Sequence, residues 1–323
     1  MSELDKLSDV WRNPADLTPH VGEPGSEGLA AQPLESDRSL AATPPAVYPN
    51  IVPSNNLRLP DALTIRHGPA PLLARFILEG DKAVRDIGLR LRLRSDFDEL
   101  IYINKQHVAI GDWLPVPEAF NPDFAELNGE NAFWVCGEND KGDIVVTWAS
   151  RIYNWVGTSL AEQVRVAWYG RDLGQPCVVT AEAAKLIGGV VSCAGASWVR
   201  PDFRGKHLSH LMPRIGKAYA CSRWPIDWAI GFIGLSNLDK GLAASYGQKN
   251  LSYSILYPGS AWGEVALAYT SVGEVYEDLA EFLAKKLGRA DRAAYETLSS
   301  TSLAQEVTNT SSEGVFQGSN RRS

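Results

Sequence analysis

The chain has 323 residues, enough for one large domain or two modest ones, and its 45% hydrophobic and 21% charged content argues against wholesale disorder. A formal net charge of −7 argues against a general nucleic-acid binder, which would carry a basic footprint. The longest dense apolar run, Trp228 to Leu235, falls far short of the roughly 20 residues a membrane-spanning helix needs.

The opening MSELDKLSDV has no basic start followed by an apolar stretch, so a cytoplasmic protein without membrane contact is expected. Residues 1–58 are rich in Pro, Ser, Gly and acidic residues and read as a disordered or extended arm. A single domain is expected over 59–290, and a flexible polar tail over 291–323. Cys136, Cys177, Cys193 and Cys221 lack C-x-x-C spacing, and the five histidines have no ligand-spaced partners, so no metal is expected.

In chain order, Gly88 to Arg94 alternates arginine and leucine, which predicts a half-buried strand with a solvated basic face. An acidic ligand on that face is the alternative. Asp96 to Leu100 predicts a short helix. Ala132–Glu138 and Asp143–Tyr153 predict a hairpin about Asn139-Asp140-Lys141-Gly142. Ser159 to Tyr169 has helical spacing. Leu186 to Val199 reads as a long strand, with Gly188, Gly189 and Gly195 marking a bend or bulge.

Leu208, Leu211, Met212, Ile215, Ala218 and Tyr219 form one face of an amphipathic helix, in which Pro213 predicts a kink or a late start. Ile226–Leu235 reads as a buried strand, followed by a short helix capped by Ser236 or Asn237 and ending near Gly247. Leu251–Tyr257 and Val265–Tyr269 are closing strands about a Pro258-Gly259 turn. Ser271 to Glu274 is a capping box opening a helix with the stripe Val275, Leu279, Phe282 and Leu283, ended by Gly288.

Chemistry concentrates in Trp198 to Leu211. A strand runs through a Pro-marked turn and a Gly-containing loop into a helix, whose first turn leaves amides unpaired and carries partial positive charge. Gly205 lets the backbone approach a phosphate, and Arg204 and Lys206 supply full charges. On Val199, Pro201, Arg204, Gly205 and Leu211 this segment resembles the phosphate-binding loop of the GNAT superfamily of acyl-CoA-dependent N-acyltransferases. The match runs over about 186–257, through a second strand at 226–235 and the Asn237…Tyr246-Gly247 segment.

The resemblance implies an α+β fold, a mixed and mostly antiparallel sheet whose central strands splay apart between flanking helices. It implies acetyl-CoA or another acyl-CoA as cosubstrate and an amine-bearing acceptor, with no metal. Contacts to coenzyme A would come from Trp198, Val199, Arg204, Gly205, Lys206, His207, Ser209 and Asn237, with Tyr246 as the acid. Amides of Ser197 to Val199 would face the pantetheine arm and thioester.

Several residues depart from the family pattern. Asp202, His207 and Ser209 replace residues usual in the loop, His207 narrows the cradle unless it points outward, and alanines at 243 and 244 occupy the usual place of the acid. Asp227, Glu182, Glu138 and His210 are the candidates for a base. Trp148, Trp155, Trp168, Trp198, Trp224 and Trp228 fill a core or line a pocket for a bulky, partly apolar amine. Two further readings stay open: a non-catalytic GNAT-fold protein that senses coenzyme A or serves as a scaffold, and an unrelated α+β protein whose loop holds another phosphate.

Overall fold

The computed structural model describes residues 57–167, 178–256 and 264–287. Their strands are β1 (Leu57–Arg58), β2 (Arg90–Arg94), β3 (Ala132–Glu138), β4 (Ile144–Trp155), β5 (Val178–Val179), β6 (Gly189–Val199), β7 (Trp228–Gly234), β8 (Asn250–Leu256) and β9 (Glu264–Ser271). They form one sheet in the order β1-β2-β3-β4-β6-β7-β9-β8-β5, in which β6 and β7 are the parallel pair and the other neighbours are antiparallel.

Helices cover both faces. One face carries α1 (Ala70–Asp86), α4 (Leu208–Arg223) and α7 (Val272–Leu287). The other carries α2 (Phe97–Ala109) and α3 (Leu160–Ala167). Two four-residue helices, α5 (Leu235–Leu238) and α6 (Leu242–Ser245), connect β7 to β8. This is the mixed, mostly antiparallel sheet between helices that the resemblance implied. The arm up to residue 56, the tail from 288, Trp168, Cys177 and the Pro258-Gly259 turn lie outside the described residues.

Local chemistry explains most element boundaries. Asn139 Oδ1 accepts from the amides of Lys141 and Asp143 at 3.0 and 2.8 Å, and Gly142 takes φ +84°, closing the β3–β4 hairpin. Asp96 caps α2 by accepting from Glu99 N at 3.1 Å, and α2 runs well past the expected Leu100 because Ile101 and Asn104 continue its buried face. The capping box before α7 forms as read: Ser271 Oγ donates to Glu274 Oε2 at 2.8 Å, and the stripe behind it is buried at Val275, Leu279 and Leu283.

Four expectations need correction. Helix α1 falls where no element was assigned; Leu72, Leu73, Phe76, Ile77, Gly80 and Val84 bury one helical face, and Gly80 allows close approach to Ile215 of α4. Helix α4 starts at Leu208 and runs through Pro213, so no late start occurs. Its residues from Leu211 to Ser222 are all buried, because α1 and α7 cover the face opposite the sheet. Asn237 sits inside α5 and caps nothing: Gly234 precedes that helix, and Gly241 at φ +73° separates it from α6.

The basic face of β2 is the fourth. Arg94 is buried and donates to both Glu138 and Glu99, while Arg92 Nε donates to Glu138 Oε2 at 3.0 Å. The alternation places the arginines on one side as expected and Arg90 is exposed there, but internal carboxylates from β3 and α2, not water, meet Arg92 and Arg94.

Candidate functional site: a slot where two parallel strands part

β6 and β7 pair from Val191–Trp228 to Ala194–Gly231 and then separate. Beyond that point β6 stays bonded to β4 and β7 to β9. The cause lies in β6, where the register against β4 slips between Thr147 and Ala149 and Ala196 adopts φ +48°. A bulge bends the strand away, and Thr147 Oγ1 secures it by donating to Ala196 O at 2.7 Å. The sequence placed this bend near Gly195; the left-handed residue is Ala196.

The gap is a cavity of about 130 Å³. Trp148, Ala194, Ser197, Phe232, Asn237 and Tyr246 are among the residues that line it. Of the sequence candidates, Asn237 and Tyr246 therefore meet at the slot. Tyr246 Oη lies 2.8 Å from Ser197 Oγ, and its ring packs edge-on against Trp148 with centroids 5.2 Å apart. Burial raises the phenol's pKa, with partial compensation from Ser197, so the hydroxyl keeps its proton at neutral pH. Cys193 also lines the slot, but burial pushes its thiol up to about 12 and leaves it a poor nucleophile. Trp198 points elsewhere: its ring is buried on the α2 side, stacked on Trp113 at 4.9 Å, so only its backbone is available to the slot. The Val199 side chain packs partly into the core beneath α4.

Past Val199 the chain forms the loop into α4. Gly205 has φ +79° and His207 φ +59°, two left-handed residues around Lys206. The amides from Gly205 to Ser209 donate to no acceptor among the described residues. Successive unpaired N–H groups at a helix start form an anion-binding nest. Arg200 engages Asp202 through two bonds of 2.7 and 2.9 Å, which holds that carboxyl below its ordinary range and neutralises the loop's acidic residue. Arg204 donates to two carbonyls, Val199 O at 3.2 Å and Asp112 O at 3.3 Å, and Lys206 Nζ sits 4.2 Å from the centre of the Phe203 ring. Neither cation has a carboxylate partner among the described residues. His207 is exposed, with its ring 5.7 Å from that of His210, whose pKa is lowered by burial and by the nearby Arg214.

The four candidate bases do not meet at the slot. Glu138 is held by Arg92 and Arg94. Asp227 accepts from Val190 N at 2.8 Å where β6 begins, and Glu182 pairs with Lys185 at 2.8 Å. His210 is exposed near the start of α4.

Two features of the site escaped the sequence reading. Arg214 and Lys217, on the supposed outer face of α4, are buried. Arg214 binds Asp278 of α7 through two bonds of 2.8 and 2.9 Å and donates to Ser245 O at 2.9 Å. Lys217 Nζ donates to Tyr246 O at 3.0 Å. Together they fasten the turn that carries Tyr246 to two helices. A period of three between two basic residues was the available signal, but surface helices show it constantly. The other feature is Glu118, which lines the slot from the far side.

Among the described residues there is no cluster of metal-ligating side chains, and no helix is long and apolar enough to cross a membrane. No family model matches the chain, and no curated protein matches it. Among solved structures, the chain is similar to Arabidopsis thaliana NAA60 in complex with acetyl-CoA, at 12% identity and TM-score 0.37 over 57% of this chain and 99% of that one. It is also similar to FeeM, an N-acyl amino acid synthase from uncultured soil microbes, at 13% identity and TM-score 0.37 over 60% and 98% of the two chains. A third similar structure is the spermidine N-acetyltransferase of Vibrio cholerae, at 8% identity and TM-score 0.33 over 56% and 93%.

Proposed function

We propose that this chain is a GNAT-like N-acyltransferase that moves an acetyl or other acyl group from acyl-CoA to an amine. The observation that carries this reading is the parting of β6 and β7 at Ala194 and Gly231, directly upstream of the loop of unpaired amides. A strand gap suits an extended pantetheine arm. A nest with two uncompensated cations suits the diphosphate at its end. Gly205 to Ser209 would hold the phosphates, with Arg204 and Lys206 adding charge, and Asn237 would contact the arm.

The transfer is direct. The amine attacks the thioester carbonyl, amides of Ser197 to Val199 polarise its oxygen, and Tyr246 protonates the departing thiolate. A protonated, buried phenol bonded to Ser197 is suited to that last role. An acyl-enzyme on Cys193 is disfavoured by its raised pKa.

Acetyl-CoA at millimolar concentration should raise the melting temperature of the full chain, since a ligand that binds only the folded state stabilises it. Tyr246→Phe should keep that shift while slowing thiol release by roughly 10²-fold. A chain whose melting point does not respond to acetyl-, propionyl- or longer acyl-CoA is not of this class.

A further inference from the structure

The slot passes through the sheet. Adjacent residues of β4 point to opposite faces, so Trp148 meets Gly216 of α4 while Ala149 joins the cluster around Phe120. Tyr246 and Trp148 therefore line one mouth, and the short turn Glu118–Phe120 lines the other. That turn is firmly seated. Arg151 of β4 donates to Ala119 O at 3.2 Å, Phe120 is buried and stacks on Phe97, and its ring fills the space a side chain at Gly195 would take.

Glu118 is the one acidic side chain among the described residues lining the slot. It is half-buried, and its carboxylate has no partner among the described residues. Its neighbours at this mouth, Pro117, Ala119 and Phe120, are apolar, as are Phe232 and Val265 along the slot. A carboxylate that lines the cavity with no partner of its own is placed to accept a hydrogen bond from a ligand N–H.

We propose that Glu118 accepts the proton of the attacking amine, and that the acceptor is a primary amine carried on an apolar body. This rests on the acyl-transfer reading above and adds the missing base and the substrate class. The amine, having lost its extra proton to solvent, bonds through nitrogen to the thioester carbonyl carbon. One N–H proton passes to Glu118. The C–S bond breaks with its electron pair on sulfur, Tyr246 supplies the proton that makes the thiol, and solvent returns the Glu118 proton to the tyrosinate. A polyamine would bring a second cation with no carboxylate to meet it, and an amino acid would set its own carboxylate near Glu118.

The test uses the full chain with acetyl-CoA, following thiol release with phenethylamine, hexylamine, methylamine, spermidine and glutamate. Phenethylamine and hexylamine should exceed the other three by roughly tenfold or more in kcat/KM, as expected for an apolar pocket. Glu118→Gln should lower kcat/KM by roughly 10²-fold, in the range of a lost general base, and should do so through kcat more than through KM. Glu118→Asp should recover part of the rate, and both variants should keep the acetyl-CoA melting shift. A Glu118→Gln enzyme within twofold of the parent, a loss confined to KM, or a preference for spermidine or glutamate overturns the proposal. So does a parent chain that binds acetyl-CoA but releases no thiol with any of these amines. Absence of the melting shift in the parent overturns the underlying acyl-CoA reading.

Discussion

The loop before α4 and the Tyr246 turn that lines the slot are held by opposite means. At the loop, the Gly205 to His207 backbone is exposed and shaped by two left-handed residues, with Arg204 tying it to nearby carbonyls. At the slot, the Tyr246–Gly247 turn is fixed from beneath by buried charges on α4 and α7, with Asp278 lying 64 residues from Arg214 in sequence. The loop is a local structure offering unpaired donors to a ligand. The turn is a tertiary structure whose polar groups are already satisfied. On the proposed reading, binding and chemistry depend on different parts of the sequence, and they should fail separately when mutated.

The largest effect is expected at the buried pair. Asp278→Ala leaves Arg214 enclosed without its counter-charge, a loss of about 3–5 kcal/mol measurable by urea denaturation. Replacing both, as Arg214→Met with Asp278→Leu, should restore most of that stability without restoring turnover, because Ser245 O then loses its donor. A loss below about 1 kcal/mol for Asp278→Ala would mean that the turn does not rest on this pair.

Lys217 gives a second handle on the same turn. Burial lowers its pKa from 10.5 to about 8, outweighing the opposing effect of Asp278. Between those values the folded chain binds fewer protons than the unfolded one, so this group makes stability rise with pH across that window, and its burial cost is fully present below about 8. The contribution spans up to about 3 kcal/mol. Lys217→Met should remove it, seen as a flatter dependence of the urea midpoint on pH; parallel curves for parent and variant would contradict the assignment.

Legibility in the sequence follows the same division. The turn from β6 into α4 was readable because Pro201 and Gly205 act within a few residues of themselves, and the helix start at Asp96 and the capping box at Ser271 were readable for the same reason. Arg92 and Arg94 were placed on the correct strand but given the wrong surroundings, since alternation reports which face a residue is on and not what covers it. Arg214 and Lys217 were lost in that way too, because helical periodicity does not reveal that α1 and α7 bury the second face of α4. Glu118 was unreadable: only the parting of β6 and β7 brings a three-residue turn between α2 and β3 to the same cavity as Tyr246.

Gly205→Val tests the loop with a smaller cost in stability. Among the described residues no atom lies within 4 Å of where a Cβ would stand, so the penalty is the left-handed conformation alone, about 1–2 kcal/mol. The acetyl-CoA melting shift should nevertheless disappear, because the side chain projects where the phosphates would approach. Retention of the shift would count against the nest.

The smallest expected change is also the most discriminating. His207 occupies a left-handed position that glycine takes freely, so His207→Gly relieves a strain of about 1 kcal/mol. It also adds backbone freedom to the unfolded chain, which costs roughly 0.5–1 kcal/mol, and the two nearly cancel. Stability should therefore stay within about 0.5 kcal/mol of the parent. The acetyl-CoA response then isolates the side chain. An imidazole that crowds the nest yields a larger melting shift when removed, whereas one that points outward, as its exposure implies, leaves the shift unchanged. A reduced shift would assign the ring itself to the phosphates and move part of the binding from backbone to side chain.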